Sequence, residues 1–144
     1  STLALIVSIL LFFQPLIHAG ILSTTSIETS SGQIPISKLK TTDKICTFDP
    51  RDNIQFYHNS IRSKHLAFEI YKIEAGHTTI FCSKDQKFFD PIQKEWIKAG
   101  DLQTSHYFLN KDGDYIPCQK VTKLKLKKPL VLYDISLPFP HTFY

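Results

Sequence analysis

Ser83 and Gln86 end an apolar run, Thr78 to Cys82, with a hydroxyl and a carboxamide three positions apart. A strand that stops at a polar turn is expected to aim its last side chains into a cleft, and loops fixed by a rigid scaffold are where sites usually sit. The hydroxyl of Ser83 can donate or accept a hydrogen bond. The amide of Gln86 can donate one but cannot deliver a proton near neutral pH. From these residues alone an ordinary Ser-x-x-Gln turn competes with a site. Asp134 is a third candidate, because it lies inside the apolar run Leu130 to Leu137. A carboxylate there needs a partner or a function, unless it sits on the wet face of its strand. His58, His65, His77 and His106 show no ligand spacing and are assigned no role, and His141 stands near the end of the chain.

The elements that must position these groups read as short strands. Ser26 to Thr29 and Lys44 to Phe48 alternate, and Ala67 to Ile73, Thr78 to Cys82, Trp96 to Lys98, Tyr107 to Leu109, Tyr115 to Leu126 and Leu130 to Leu137 continue the series. Ser31-Gly32 and Asp49-Pro50 punctuate them, and Asn110-Lys-Asp-Gly113 is a hairpin turn signal. A loop broken at Asp90-Pro91 is expected after Phe88-Phe89. No segment keeps a helical period after the N-terminal region. The expectation is one all-β domain, for which 144 residues leave room for a real core.

Residues Leu3 to Phe13 are apolar and are followed by Gln14-Pro15, with Ala19 as a small residue before Gly20. The run has the length of an export leader and falls short of the roughly 18 apolar residues of a membrane span. Residues 1–19 are therefore expected to be a signal helix whose start lies upstream, with a membrane anchor as the weaker alternative. Contact with a membrane is expected only through this leader, and the protein is expected to be exported.

A net charge of +4 is mildly basic, but the lysines are dispersed. The one cluster, Lys123-Leu-Lys-Leu-Lys-Lys128, alternates with leucine as a half-exposed strand does, so nucleic acid is not expected as a partner. Cys46, Cys82 and Cys118 form no metal spacing. No metal or cofactor is expected. In an exported protein one pair could bridge and leave one thiol over, and sequence does not choose the pair; three buried thiols are the alternative.

Four blocks, taken in order, resemble the Hint superfamily, the self-processing domains of hedgehog proteins, inteins, bacterial intein-like domains and pretoxin modules. The opening block is similar to Thr25-Ser-Ile-Glu-Thr-Ser-Ser-Gly32 with Pro35-Ile-Ser-Lys-Leu-Lys-Thr-Thr-Asp-Lys-Ile45. The middle block, Ile-x-x-Thr-x-x-His-x-Phe, resembles Ile80-Phe-Cys-Ser-Lys-Asp-Gln-Lys-Phe88, and a Trp block resembles Trp96-Ile-Lys-Ala-Gly-Asp-Leu102. The closing block resembles Leu132-Tyr-Asp-Ile-Ser-Leu137 and His141-Thr-Phe143. The resemblance implies a twisted horseshoe of short strands with two halves related by approximate two-fold symmetry, spanning residues 20–144 and lacking its terminal strand. It implies an intramolecular substrate, the flanking chain segments. The domain's first residue attacks the preceding peptide bond to form an ester-linked acyl carrier, the block His acts as general acid, the block Thr holds the scissile amide, and an Asp assists proton movement.

Carried onto this chain, these roles fall on Ser83, Gln86, Asp134 and His141, and the nucleophile's place falls on Gly20, or on Ala19 if one residue is inserted. Ser83 keeps the hydroxyl and Asp134 the carboxylate. Gln86 replaces the acid, and Gly20 carries no nucleophile. The expectation is an exported Hint-like module of pretoxin type, impaired at its N-terminal step. A shift of register onto the hydroxyls of Ser23 to Ser26 is the remaining route to activity. The competing class is a non-enzymatic secreted β-domain for binding or spacing; a conventional hydrolase lacks a nucleophile–base pair.

Overall fold

Period-2 burial organises the chain. In the computed structural model, which describes residues 4–6, 10–12, 20–49, 54–110 and 112–136, the strands are β1 (Ala4–Ile6), β2 (Leu10–Phe12), β3 (Ile21–Leu22), β4 (Ser26–Thr29), β5 (Gly32–Pro35), β6 (Lys44–Asp49) and β7 (Ile54–Asn59). They continue with β8 (Ile61–Ala75), β9 (Thr78–Cys82), β10 (Lys87–Asp90), β11 (Glu95–Lys98), β12 (Tyr107–Leu109), β13 (Tyr115–Pro117) and β14 (Lys120–Ser136). In β4, Ile27 and Thr29 are buried while Ser26 and Glu28 are half-buried. In β14, Lys123 and Lys125 are exposed between half-buried leucines, as the lysine–leucine alternation predicts.

Two halves repeat one plan. The hairpin β4–β5 runs into a 3₁₀ turn, Ile36–Lys38, and the hairpin β10–β11 runs into another, Ala99–Asp101. Pro35 and Lys98 enter these turns extended, Ile36 and Ala99 are completely buried, and Leu39 and Leu102 each return their N–H to that buried residue at 3.3 Å. Each half ends in a long strand, β8 or β14, and these two pair antiparallel over most of their length. With β9 and β3 they close a barrel in the order β14-β3-β9-β8. Closure removes the free edges that would otherwise invite pairing with another chain. Ile21, Ile27, Ile36, Ile45, Ile73, Ile80, Phe88 and Phe108 fill the core between barrel and hairpins.

Several expectations change. The described residues of the apolar run expected to form a leader helix are two short strands: Leu5 lies opposite Thr47 of β6, and Leu11 opposite Phe88 of β10. A short apolar run fits either conformation, and pairing decides between them here. The loop expected at Asp90-Pro91 is the turn from Pro91 to Lys94, but the residues before it, Lys87 to Asp90, form a strand, β10, that the sequence did not show. Phe88, Phe89 and Asp90 are all buried, so this strand has no alternation to read. Tyr115 to Leu126 is interrupted at Cys118 and Gln119, whose N–H groups go to His106 and Glu74 carbonyls instead of a continuous ladder. The hairpin at Asn110 to Gly113 is present: Asn110 Oδ1 accepts from the N–H groups of Asp112 and Asp114, and Gly113 takes φ +83°.

Candidate functional site

Gly20 touches the strand end that carries Ser83 and the strand that carries Asp134. It precedes β3, whose Ile21 lies opposite Cys82 on one side and Tyr133 on the other. The Ser83 N–H donates to the Gly20 carbonyl at 3.0 Å, so the ladder continues one residue past β9. On the β14 side a Cβ on Gly20 would come within 3.1 Å of both Leu132 Cβ and the Tyr133 carbonyl oxygen, and within 3.0 Å of His65 Cε1. A side chain at the position expected for a nucleophile would therefore press on its neighbours, which would have to give by a few tenths of an ångström. In the β8–β14 ladder His65 lies opposite Leu132 and Ser63 opposite Asp134. Opposed residues of an antiparallel pair, and residues two apart on one strand, share a face. His65, Leu132 and Asp134 thus stand on one face, with Gly20 against it.

Ser83 and Gln86 do not project into an open cleft. Ser83 is 7% exposed and Gln86 fully buried. The turn that carries them is fastened to the second 3₁₀ turn: Ala99 N–H donates to the Gln86 carbonyl at 2.8 Å, and Gly100 N–H to the Lys84 carbonyl at 3.0 Å. Polar residues here thus cap packed structure as well as ending a strand, which corrects the cleft expected from the sequence. Gln86 Nε2 donates to the Lys87 carbonyl at 3.3 Å. Ser83 Oγ is buried with no hydrogen-bond partner among the described residues, an arrangement that costs about 1–3 kcal/mol.

Asp134 is buried, not on a wet strand face. Its Oδ1 accepts the Ile135 N–H at 2.9 Å. Burial pushes its pKa up from 3.8 to about 7, against the smaller downward pull of that hydrogen bond. A carboxyl so placed can both give and take a proton at neutral pH, which Gln86 cannot do. The nearest thiol is inert: Cys82 is completely buried, and burial pushes its pKa well up, so the thiolate needed for attack is not formed. Cys46 and Cys118 are also buried free thiols, so the bridge considered from sequence is not formed in this structure. His141 lies outside the described residues. The Thr24, Thr25 and Ser26 hydroxyls line a separate open cleft of about 300 Å³ with Thr79, and that cleft includes none of Gly20, Ser83, Gln86 or Asp134. No cluster of three or more metal-ligating side chains occurs among the described residues.

No protein-family model and no curated protein sequence matches the chain. Solved structures do. A bacterial intein-like domain from Clostridium thermocellum superposes with TM-score 0.70 at 19% identity, covering 83% of each chain. The fold is that of an intein-like domain. A DnaB intein from Synechocystis matches with TM-score 0.68 at 14% identity over 85% of this chain and 90% of its own, and the gp41-1 intein with TM-score 0.66 at 19% identity over 87% and 91%. At these identities the likeness carries the intein-like fold, and the chemistry must be argued from this chain's own residues. Of the residues expected from sequence, Ser83 bonds to Gly20 and Asp134 stands on the face that Gly20 packs against; His65, assigned no role from sequence, stands on that face as well. Its only signal is positional: the register that sets Leu132 beside Gly20 also sets His65 opposite Leu132.

Proposed function

We propose that the chain is an autoprocessing intein-like domain whose N-terminal acyl shift is disabled. One observation supports this most directly: Gly20, at the position for the attacking residue, carries no thiol or hydroxyl and is packed so closely by His65, Leu132 and Tyr133 that neither would fit without displacement. An acyl shift needs a nucleophile activated by a base and an acid to expel the amine. Asp134, with its pKa near neutrality, could serve in proton transfer, and the buried Ser83 hydroxyl could hold a peptide carbonyl or amide. Neither replaces the missing nucleophile, and Gln86 donates hydrogen bonds without donating a proton.

The substrate on this reading is the flanking chain itself. We further propose that residues 1–19 are an export leader cut between Ala19 and Gly20, and that the domain belongs to a longer exported protein of pretoxin type. Removal of the leader at that bond would leave no upstream peptide to release, and so no requirement for a nucleophile at Gly20. The test is the intact mass, over hours and with or without added thiol, of a fusion carrying a reporter in place of residues 1–19 ahead of the full downstream sequence. The expected result is that the reporter stays attached; its release without protease sinks the proposal. Loss of a downstream piece alone would mark a surviving C-terminal half-reaction. An unchanged mass at both ends would favour a binding or spacing module.

A further inference from the structure

The β8–β14 ribbon carries a second feature unrelated to the Gly20 site. From Arg62 to Ala67 on one strand and Leu130 to Ile135 on the other, the two strands pair with each other, and only Leu132 and Tyr133 gain a third neighbour, β3. Leu66 and Phe68, two apart and on one face, are 62% and 60% exposed. Lys64 shares that face, as does Arg62, whose guanidinium lies 5.2 Å over the Tyr133 ring. The register breaks between Lys125 and Leu130, so a short bulge containing exposed Lys127 and Lys128 stands abreast of Phe68. Lys64, Lys127 and Lys128 have no ion pair among the described residues; Lys125, opposite Glu69, stands on the other face, where Glu69 is taken by Lys123 at 3.5 Å.

We infer that this stretch of the ribbon is a docking surface for an anionic lipid bilayer. Two large apolar side chains held in water between uncompensated lysines, Lys64 on one side and Lys127 and Lys128 on the other, have the composition of an interfacial membrane contact, in which apolar groups enter the headgroup boundary and lysine stems reach out to anionic lipids. Charge complementarity selects this occupant over others. A second copy of the chain would set three lysines against three lysines. A phosphate backbone would satisfy the lysines but offer nothing to Leu66 and Phe68 at the centre. A folded partner needs matching shape, and the open cleft at Thr24 to Ser26 and Thr79 is lined by none of these residues.

Vesicle co-sedimentation of the full chain tests this. Vesicles of phosphatidylcholine with about one-third phosphatidylglycerol should bind at least about tenfold more tightly than phosphatidylcholine alone, and binding should weaken as salt is raised. Leu66→Ser with Phe68→Ser should abolish the preference, as should Lys127→Glu with Lys128→Glu, each with unchanged far-UV circular dichroism. The apolar run at residues 3–13 is common to every variant, so differences among variants report the ribbon alone. Equal sedimentation with both vesicle types, sedimentation with neither, or anionic binding that both double variants retain would each overturn the inference. None of these outcomes depends on whether the reporter fusion is processed.

Discussion

Asp134 makes stability depend on pH near neutrality. Its pKa is raised from 3.8 to about 7 by burial, so between those values the folded chain binds a proton that the unfolded chain has released. Stability falls with rising pH wherever the folded state holds more protons. The contribution of Asp134 is therefore fully present below about pH 4, declines as pH rises through about 7, and is flat above that. The total change is at most about 4 kcal/mol, and about half of that is expected once relaxation of the site is allowed for. Asp134→Asn should flatten this segment of the urea-midpoint profile between pH 4 and 8; an unchanged slope would mean that the carboxyl ionises as it does in water. Gly20 gives a second residue-scale prediction. Gly20→Ala forces a Cβ against His65, Leu132 and the Tyr133 carbonyl and should cost about 1–3 kcal/mol in chemical denaturation. Adding His65→Ala should return part of that loss, because the ring can be removed while the Leu132 and Tyr133 contacts stay. A double variant no more stable than the additive sum would show that His65 does not press on Gly20.

At the scale of elements, Asp90 shows how one carboxylate can lock a turn. Its Oδ1 accepts the N–H groups of Ile92 and Gln93 at 2.8 and 3.1 Å, and its Oδ2 accepts the Tyr107 N–H at 3.4 Å, tying β10–β11 to β12. Asp90 is 1% exposed. Asp90→Ala strands these donors and should lower stability by about 3 kcal/mol, whereas Asp90→Asn, which keeps one oxygen for the turn, should lose about 1 kcal/mol. Equal losses would mean that the Asp90 hydrogen bonds contribute little. From the sequence, Asp90-Pro91 was legible as a break but Lys87 to Asp90 was not legible as a strand, because both of its faces are buried. Ser26 to Thr29, Thr78 to Cys82 and Tyr107 to Leu109 were legible to the residue, since one face of each is in the core and period 2 survives in the side chains. β8 was read only from Ala67 to Ile73 because its first six residues, Ile61 to Leu66, are mostly exposed on both faces and leave no alternation. Around Gly20, block order pointed to Ser83 and Asp134 as candidates, while the approach of His65 depends on a pairing between strands more than fifty residues apart, which no local pattern encodes.

The whole molecule is two similar halves that cannot each close alone. β8 ends the first half and β14 the second, and their ladder, with β3 and β9, is what closes the barrel. Core residues from both halves, Ile21 and Ile73 with Ile80 and Phe108, lie in one cluster. A cut between Gly76 and His77 falls in an exposed turn where Gly76 takes φ +60°, and it leaves every strand intact. The fragments 1–76 and 77–144 should each be disordered by far-UV circular dichroism and by amide dispersion in NMR, because each loses the strand that covers its long one. Mixed at equal concentration they should recover the spectrum of the uncut chain, with the recovered signal saturating at one-to-one. Recovery should be slow, since the barrel rests on pairings far apart in sequence, whose closure entropy must be met before their contacts form. A fragment that folds alone would show that its half carries a self-sufficient core. A mixture that stays disordered would show that the β8–β14 ladder is too weak to assemble the domain unless the turn at Gly76 holds the halves together.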